Sequence, residues 1–179
     1  MIVQLETSVH GQHNSSATPG MVQVFTDRTQ GQKNIFTHVI AQALRLAQQG
    51  TSVLVVQFLK GGINQGQEHP TKLGENFEWL RCNLPRNLTI DHREITPEET
   101  RAIQNLWQYT QQAILGGRYD LVVLDELTTA VHLGIIPEAT VLELVAQKPT
   151  PVDVIFTGNQ VSPAILSHAD QVTEIRRSW

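Results

Sequence analysis

Two short segments, Val53-Leu54-Val55-Val56-Gln57-Phe58 and Leu121-Val122-Val123-Leu124, are almost unbroken apolar runs. A strand with one wet face alternates, whereas a continuous run marks a strand covered on both faces. Such strands belong inside parallel sheets, whose crossovers must be long enough to hold a helix. The sequence between the runs supplies those crossovers. Residues 22–26 alternate and are β-prone, which predicts the first strand of the domain. Ile35, Val39, Ala43, Leu46 and Ala47 recur at three- and four-residue steps and predict a helix over 35–49, stopped by Gly50. Thr96-Pro97-Glu98-Glu99 opens another helix. Thr96 serves as N-cap, Pro97 suits the first turn, and Glu99 completes a capping box. That helix runs to about Leu115 and ends at Gly116-Gly117. A helix over 137–147, a strand over 152–157, a short helix over 162–167 and a strand over 171–175 continue the alternation. Short strands are predicted at 76–80 and 88–90 in the less regular middle. The fold class is α/β, with a mostly parallel sheet covered by helices on both faces.

Residues 1–20 stand apart, being polar, rich in turn formers and without periodicity. They predict a flexible N-terminal arm, with residues 1–5 able to pair as an extension, ahead of a single folded domain over 21–179. His10 and His13 read as surface histidines, because a metal site needs more ligands at fixed geometry. Seventeen acidic residues against thirteen basic ones give a net charge of −4, which argues against a nucleic-acid partner. With 40% hydrophobic and 17% charged residues, the chain has the material for a core. No apolar run approaches the ~18 residues that cross a bilayer, and residues 1–20 lack the apolar region of a secretory signal. A cytoplasmic location with no membrane partner is the expectation. The single cysteine, Cys82, excludes intrachain disulfides and a Cys-based zinc cluster, and nothing nearby in sequence activates it.

Ligands of open parallel sheets bind beyond the carboxyl ends of the strands. Three such ends carry polar residues: the loop from Asp27 to Asn34, the pair Asp125-Glu126, and Thr157-Gly158-Asn159-Gln160. A carboxylate closing a hydrophobic strand beside a loop-to-helix turn suits a magnesium nucleotide, with loop amides cradling phosphate and the acid holding the metal. The same pattern arises when Asp125 only caps the following helix, and the local sequence leaves both readings open. His38 reads as a packed or surface histidine. His132 follows the acidic strand closely enough to reach the site, and Glu126 has the chemistry of a base.

Val55-Val56-Gln57-Phe58-Leu59-Lys60-Gly61 resembles the second-strand motif of the P-loop type cob(I)alamin (corrinoid) adenosyltransferases. Tyr119 to Leu127 resembles that family's acidic motif, with Ala130 and Gly134 fitting after it. Phe156-Thr157-Gly158 and Ala169 to Arg176 resemble its last two strand regions. The resemblance runs from Met21 to Arg176 with several motifs in order. It implies a RecA-like P-loop fold, usually a homodimer, that transfers the 5′-deoxyadenosyl group of ATP to reduced corrinoid cobalt with triphosphate as leaving group. Magnesium and the phosphate loop would stabilise the charge that builds on that triphosphate.

The resemblance fails at the loop. The family's phosphate loop is Gly-rich and ends in Gly-Lys-Thr-Thr, whereas residues 26–37 here contain one glycine, Gly31. Anchored on Ala43-Leu44-Arg45, the loop is three residues longer, and the phosphate-binding lysine falls on Ile35. The magnesium-binding threonine then falls on Phe36 and the next threonine on Thr37, with Lys33 near an earlier family lysine. Shifting the gap puts Lys33 in the key role but leaves Asn34 in place of the metal hydroxyl. Glycine lets backbone amides converge on phosphate, isoleucine cannot neutralise it, and phenylalanine cannot ligate magnesium. One lost charge-assisted contact to a buried anion costs ~2–5 kcal/mol, and ~1.4 kcal/mol is tenfold in affinity. Residues 81–88 lack the aromatic segment that packs near the corrinoid in the family, Phe77 and Trp79 just upstream reading as core. Asn159 replaces an arginine, and the sequence ends at Trp179, short of the family's usual C-terminal extension.

The expectation is a corrinoid-adenosyltransferase-like protein with a degenerate phosphate loop, non-catalytic or impaired, serving as a binding or regulatory homologue. The alternative is an active ATP:corrinoid adenosyltransferase with an atypical loop. Nucleotide binding, if retained, would use Thr26, Gly31, Lys33, Thr37, Asp125, Glu126, Thr157 and Gly158, with magnesium on Asp125. No catalytic residue and no cofactor is assigned outright; ATP with magnesium and a corrinoid follow only if the family activity is kept. A homodimer and a regulatory protein partner are the expected assemblies.

Overall fold

A computed structural model describes residues 2–9, 19–27, 33–61 and 66–178. Eight strands form one sheet: β1 (Ile2–Val9), β2 (Val22–Asp27), β3 (Val53–Gln57), β4 (Thr71–Lys72), β5 (Phe77–Arg81), β6 (Leu121–Asp125), β7 (Asp153–Thr157) and β8 (Gln171–Ser178). Their spatial order is β1-β8-β2-β7-β6-β3-β5-β4. The six central strands are mutually parallel, and the edge strands β1 and β4 run antiparallel to their neighbours. The helices are α1 (Lys33–Gln48), α2 (Pro97–Leu115), α3 (Leu127–His132), α4 (Glu138–Gln147) and α5 (Pro163–Ser167).

The apolar runs do what continuous hydrophobicity requires. Leu54, Val56, Val122, Leu124, Val154 and Phe156 face one core with side chains of α2, α3, α4 and α5. Val53, Val55, Leu121, Val123 and Ile155 face the other, where α1 packs Ile35, Val39, Ala43 and Ala47 in steps of four. Gly50, at φ 97°, takes the left-handed turn that ends α1. The capping box of α2 is present: Thr96 Oγ1 accepts from the Glu99 amide at 3.2 Å, and the Glu99 carboxylate accepts from the Thr96 amide at 2.9 Å. Ser162 caps α5 through the Ile165 amide.

Two expectations need correction. The short strand expected at 88–90 is a turn. The Asn87 side chain accepts from both the amide and hydroxyl of Thr89, a local bond that competes with sheet pairing. The segment expected as a flexible arm is, over Ile2–Val9, an edge strand along the whole of β8, so pairing extends beyond residues 1–5. Residues 10–18, with His10 and His13, lie outside the described residues.

Candidate functional site

The parallel register sets Gln57 beside Asp125 and Asp125 beside Thr157 at the carboxyl ends of β3, β6 and β7. All three are buried polar residues at the top of apolar strands. Asp125 Oδ1 accepts from the Thr157 hydroxyl at 2.7 Å. Asp125 Oδ2 accepts from Gln57 Nε2 at 2.8 Å and from the Lys60 ammonium at 3.1 Å. Because Gln57 turns its amide nitrogen to Asp125, its Oε1 faces the other way. There it accepts from Trp79 Nε1 at 3.0 Å and Arg81 Nε at 2.8 Å. One buried carboxylate thus orients, directly or through Gln57, side chains on three other strands.

Glu126 follows in a left-handed conformation, φ 62° and ψ 15°, and opens α3 without a side-chain cap. Such a backbone costs a non-glycine residue about 1–3 kcal/mol and is found where surrounding structure enforces it. Neither acid caps α3, so the capping reading of Asp125 gives way to the strand-end network. Burial, and next the charge of Asp125, push the Glu126 carboxyl up to about 7, against the opposing hydrogen bond from Thr129 and the charge of Lys60. The Thr129 hydroxyl donates to Glu126 Oε2 at 2.5 Å. Gly158 is required here: a Cβ on it would lie 2.7 Å from Thr128 Oγ1. That Thr128 hydroxyl is buried and has no hydrogen-bond partner among the described residues.

Ile35 and Phe36, from the first turn of α1, meet Asp125, Glu126, Thr157, Gly158 and Asn159 around a cavity of about 10 Å³. That is room for about one water. Ile35 is buried in the core, and the Phe36 ring lies 4.6 Å from Lys60 Nζ and 5.9 Å from the Trp79 ring. The residues the sequence nominated divide accordingly. Asp125, Glu126, Thr157 and Gly158 come together. Thr26 is buried on β2, and Thr37 is exposed on α1, neither lining that cavity. Lys33 opens α1, and Gly31 lies outside the described residues. His132, exposed, lines a different cavity with Thr128 and Gln160. His38 is exposed on α1. Burial pushes the Cys82 thiol up to about 12, which leaves it protonated and unreactive.

Gln57 and Lys60 carry as much of this network as the nominated acids. The signal for Gln57 was a polar residue inside the apolar run Val53 to Phe58, where a strand buried on both faces has no cheap place for an amide. Lys60 stood in the quoted motif, but which acid it meets depends on strand order.

Both oxygens of Asp125 already accept protein donors, one of them a cation, and a phenylalanine ring rather than a hydroxyl sits beside that cation. Among the described residues no group of three His, Cys, Asp or Glu side chains is placed to hold a metal ion.

These features define a class: an α/β protein built on a parallel sheet, with a buried carboxylate network at the strand ends where such sheets bind ligands. The profile of the family described as ATP:corrinoid adenosyltransferase BtuR/CobO/CobP matches residues 18–178, and the chain belongs to that family. It is 30% identical over 158 residues to the corrinoid adenosyltransferase of Escherichia coli strain K12, covering 88% of this chain and 76% of that protein. The corrinoid adenosyltransferase CobA of Salmonella typhimurium gives the same identity and coverage. An uncharacterised protein of Nostoc sp. is 25% identical over 195 residues, which cover 97% of this chain and 49% of that protein. The fold is the single-domain P-loop type that the resemblance implied. Among the described residues no helix is long and apolar enough to cross a membrane.

Proposed function

We propose that this chain is a corrinoid-adenosyltransferase homologue that no longer grips magnesium triphosphate and uses the family scaffold as a binding or regulatory protein. The observation that carries this is the Lys60–Asp125 contact at 3.1 Å beside Phe36. The acid expected to face a metal is neutralised from within, and the helix head that should offer ammonium and hydroxyl offers Ile35 and Phe36. A densely charged anion would have to displace an ion pair and desolvate against apolar side chains, with no compensating donor from those two positions. The test is isothermal titration with MgATP. Affinity no tighter than millimolar is expected, and a micromolar dissociation constant would overturn the reading. A homodimer and a protein partner belong to the same proposal; a monomeric mass by light scattering would remove the first.

A second reading keeps the enzyme, with Lys33, Asp125 and Glu126 serving an atypical loop. The retained Thr157–Asp125 bond and the close passage of Gly158 support it, since both preserve a strand-end cradle. It requires ATP-dependent spectral conversion of reduced cobalamin to the adenosyl form, abolished in Asp125→Asn. Turnover at background would dispose of it.

A further inference from the structure

The two edges of the sheet are built differently. At one end β4 is only the pair Thr71–Lys72, and the Lys72 side chain is 65% exposed. A very short edge strand carrying lysine is a blunted edge, which does not template a further strand. At the other end β1 runs for 8 residues, Ile2–Val9, and pairs along its whole length with β8. Its terminal place in the sheet leaves its second side without a partner strand among the described residues. Residues 2–9 hold no proline, no lysine and a single charge, Glu6, so the usual blunting devices are missing from this edge. We propose that β1 pairs with β1 of a second copy of this chain, antiparallel about a twofold axis, so that two 8-stranded sheets run on as one. The proposal rests on the homodimer reading above and names its interface; it requires neither nucleotide nor corrinoid.

A second copy suits this edge better than any other strand. A twofold pairing closes on itself, and the joined sheet then ends at a blunted β4 on both sides, so assembly stops at two chains. The next described residues after β1, Pro19 to Met21, lead into β2 on the far side of β8, away from the free side of β1. Main-chain hydrogen bonds along such an edge supply affinity, and the opposed residues decide what fits.

The charge pattern selects one register. Directly opposed residues share a face of the sheet, so a twofold axis perpendicular to it sets one residue against its own copy. Centring on Leu5 or on Glu6 gives the longest overlaps, over residues 2–8 or 3–9. With Glu6 at the centre two carboxylates oppose each other, which is destabilising. With Leu5 at the centre, leucine meets leucine, Glu6 meets Gln4, Val3 meets Thr7 and Ile2 meets Ser8. The strand is self-complementary in that register, with its one charge opposite an amide.

The experiment is sedimentation equilibrium of the full chain over a range of concentrations, joined to cross-linking at single positions. A monomer–dimer equilibrium is expected. Leu5→Lys, which sets like charges face to face at the axis, should weaken the dimer about tenfold or more. Gln4→Lys, which gives each Glu6 a cation across the interface, should tighten it roughly threefold at low salt and lose the gain at high salt. Because Leu5→Lys also bears on the pairing of β1 with β8, Leu5→Cys carries the test independently. A short bis-maleimide should join two Leu5→Cys chains and leave the wild type single, since Cys82 is buried and its thiol is pushed up to about 12. Val9→Cys, far from the axis, should cross-link much less. A monomer at every concentration, the outcome if residues 10–18 or another protein cover this edge, would overturn the proposal together with the homodimer. A dimer unmoved by Leu5→Lys and Gln4→Lys, with no cross-link in Leu5→Cys, would overturn the β1 interface alone.

Discussion

Glu99 and Glu126 are the same residue type at the same 3% exposure, and the protein drives them in opposite directions. Glu99, at the start of α2, receives the Arg86 fork at 2.7 and 2.8 Å and the Thr96 amide at 2.9 Å. Chiefly through that arginine its carboxyl falls to about 2. Glu126, at the start of α3, has one hydroxyl for a partner and a second carboxylate as its neighbour, and burial raises it to about 7. Lys60, whose charge also acts on Glu126, makes its contact with Asp125 instead. Burial is therefore not the variable; compensation is. The α2 junction is finished architecture, with Glu99 and Asp91 both paired to Arg86. The α3 junction combines an undercompensated acid, a left-handed non-glycine residue and a buried hydroxyl without a partner among the described residues. A fold keeps that combination where something other than stability is served.

The largest expected effect comes from removing the acid that organises the second junction. Asp125→Ala leaves the Gln57 amide, the Thr157 hydroxyl and the Lys60 ammonium without their shared acceptor, at a cost of roughly 3–5 kcal/mol in urea unfolding. An Asp125→Ala protein as stable as the wild type would mean that the network contributes no stability and is retained at the expense of the fold. Gly158→Ala comes next, at roughly 1–3 kcal/mol, because the new methyl group overlaps Thr128 Oγ1. The double variant Gly158→Ala with Thr128→Ala should recover much of that loss; if it recovers nothing, the close passage of Gly158 has another cause. Phe36→Leu, which removes the ring facing Lys60 and keeps apolar bulk, should cost only about 0.5–1 kcal/mol by thermal unfolding. A larger loss would make Phe36 a core residue first and a neighbour of the cation second.

The helices and parallel strands were legible because periodicity and continuous apolar runs report directly on how many faces are covered. The capping box at Thr96 was legible because its partners are three residues apart. The turn at residues 88–90 was missed because Leu88 and Ile90 look β-prone, while the deciding bonds come from the side chain of Asn87. At the site, Asp125, Glu126, Thr157 and Gly158 were nominated from strand-end position alone. Lys60, Gln57 and Arg81 were not, since their roles depend on β3 lying between β6 and β5, and strand order is not local information. The substitutions at Ile35 and Phe36 were visible in sequence. That Phe36 sits against the ammonium serving Asp125 was not.

The finest test reads the two glutamates against pH. Glu99 titrates lower in the folded protein than in the unfolded chain, so between about pH 2 and 4.5 the unfolded chain holds more protons and stability rises with pH. Glu126 titrates higher when folded, so between about pH 4.5 and 7 the native protein holds the extra proton and stability falls as pH rises. The two contributions meet in a maximum near pH 4.5, with limbs owned by different junctions. Urea midpoints measured across this range should show Glu99→Gln flattening only the acid limb and Glu126→Gln only the neutral one. At pH 7.5 Glu126→Gln should be neutral to slightly stabilising, since the amide keeps an acceptor for Thr129 and carries no charge. If Glu126→Gln instead left the neutral limb unchanged and flattened the acid limb, the carboxylate would have a cationic partner in solution, and the contrast between the junctions would rest on geometry alone.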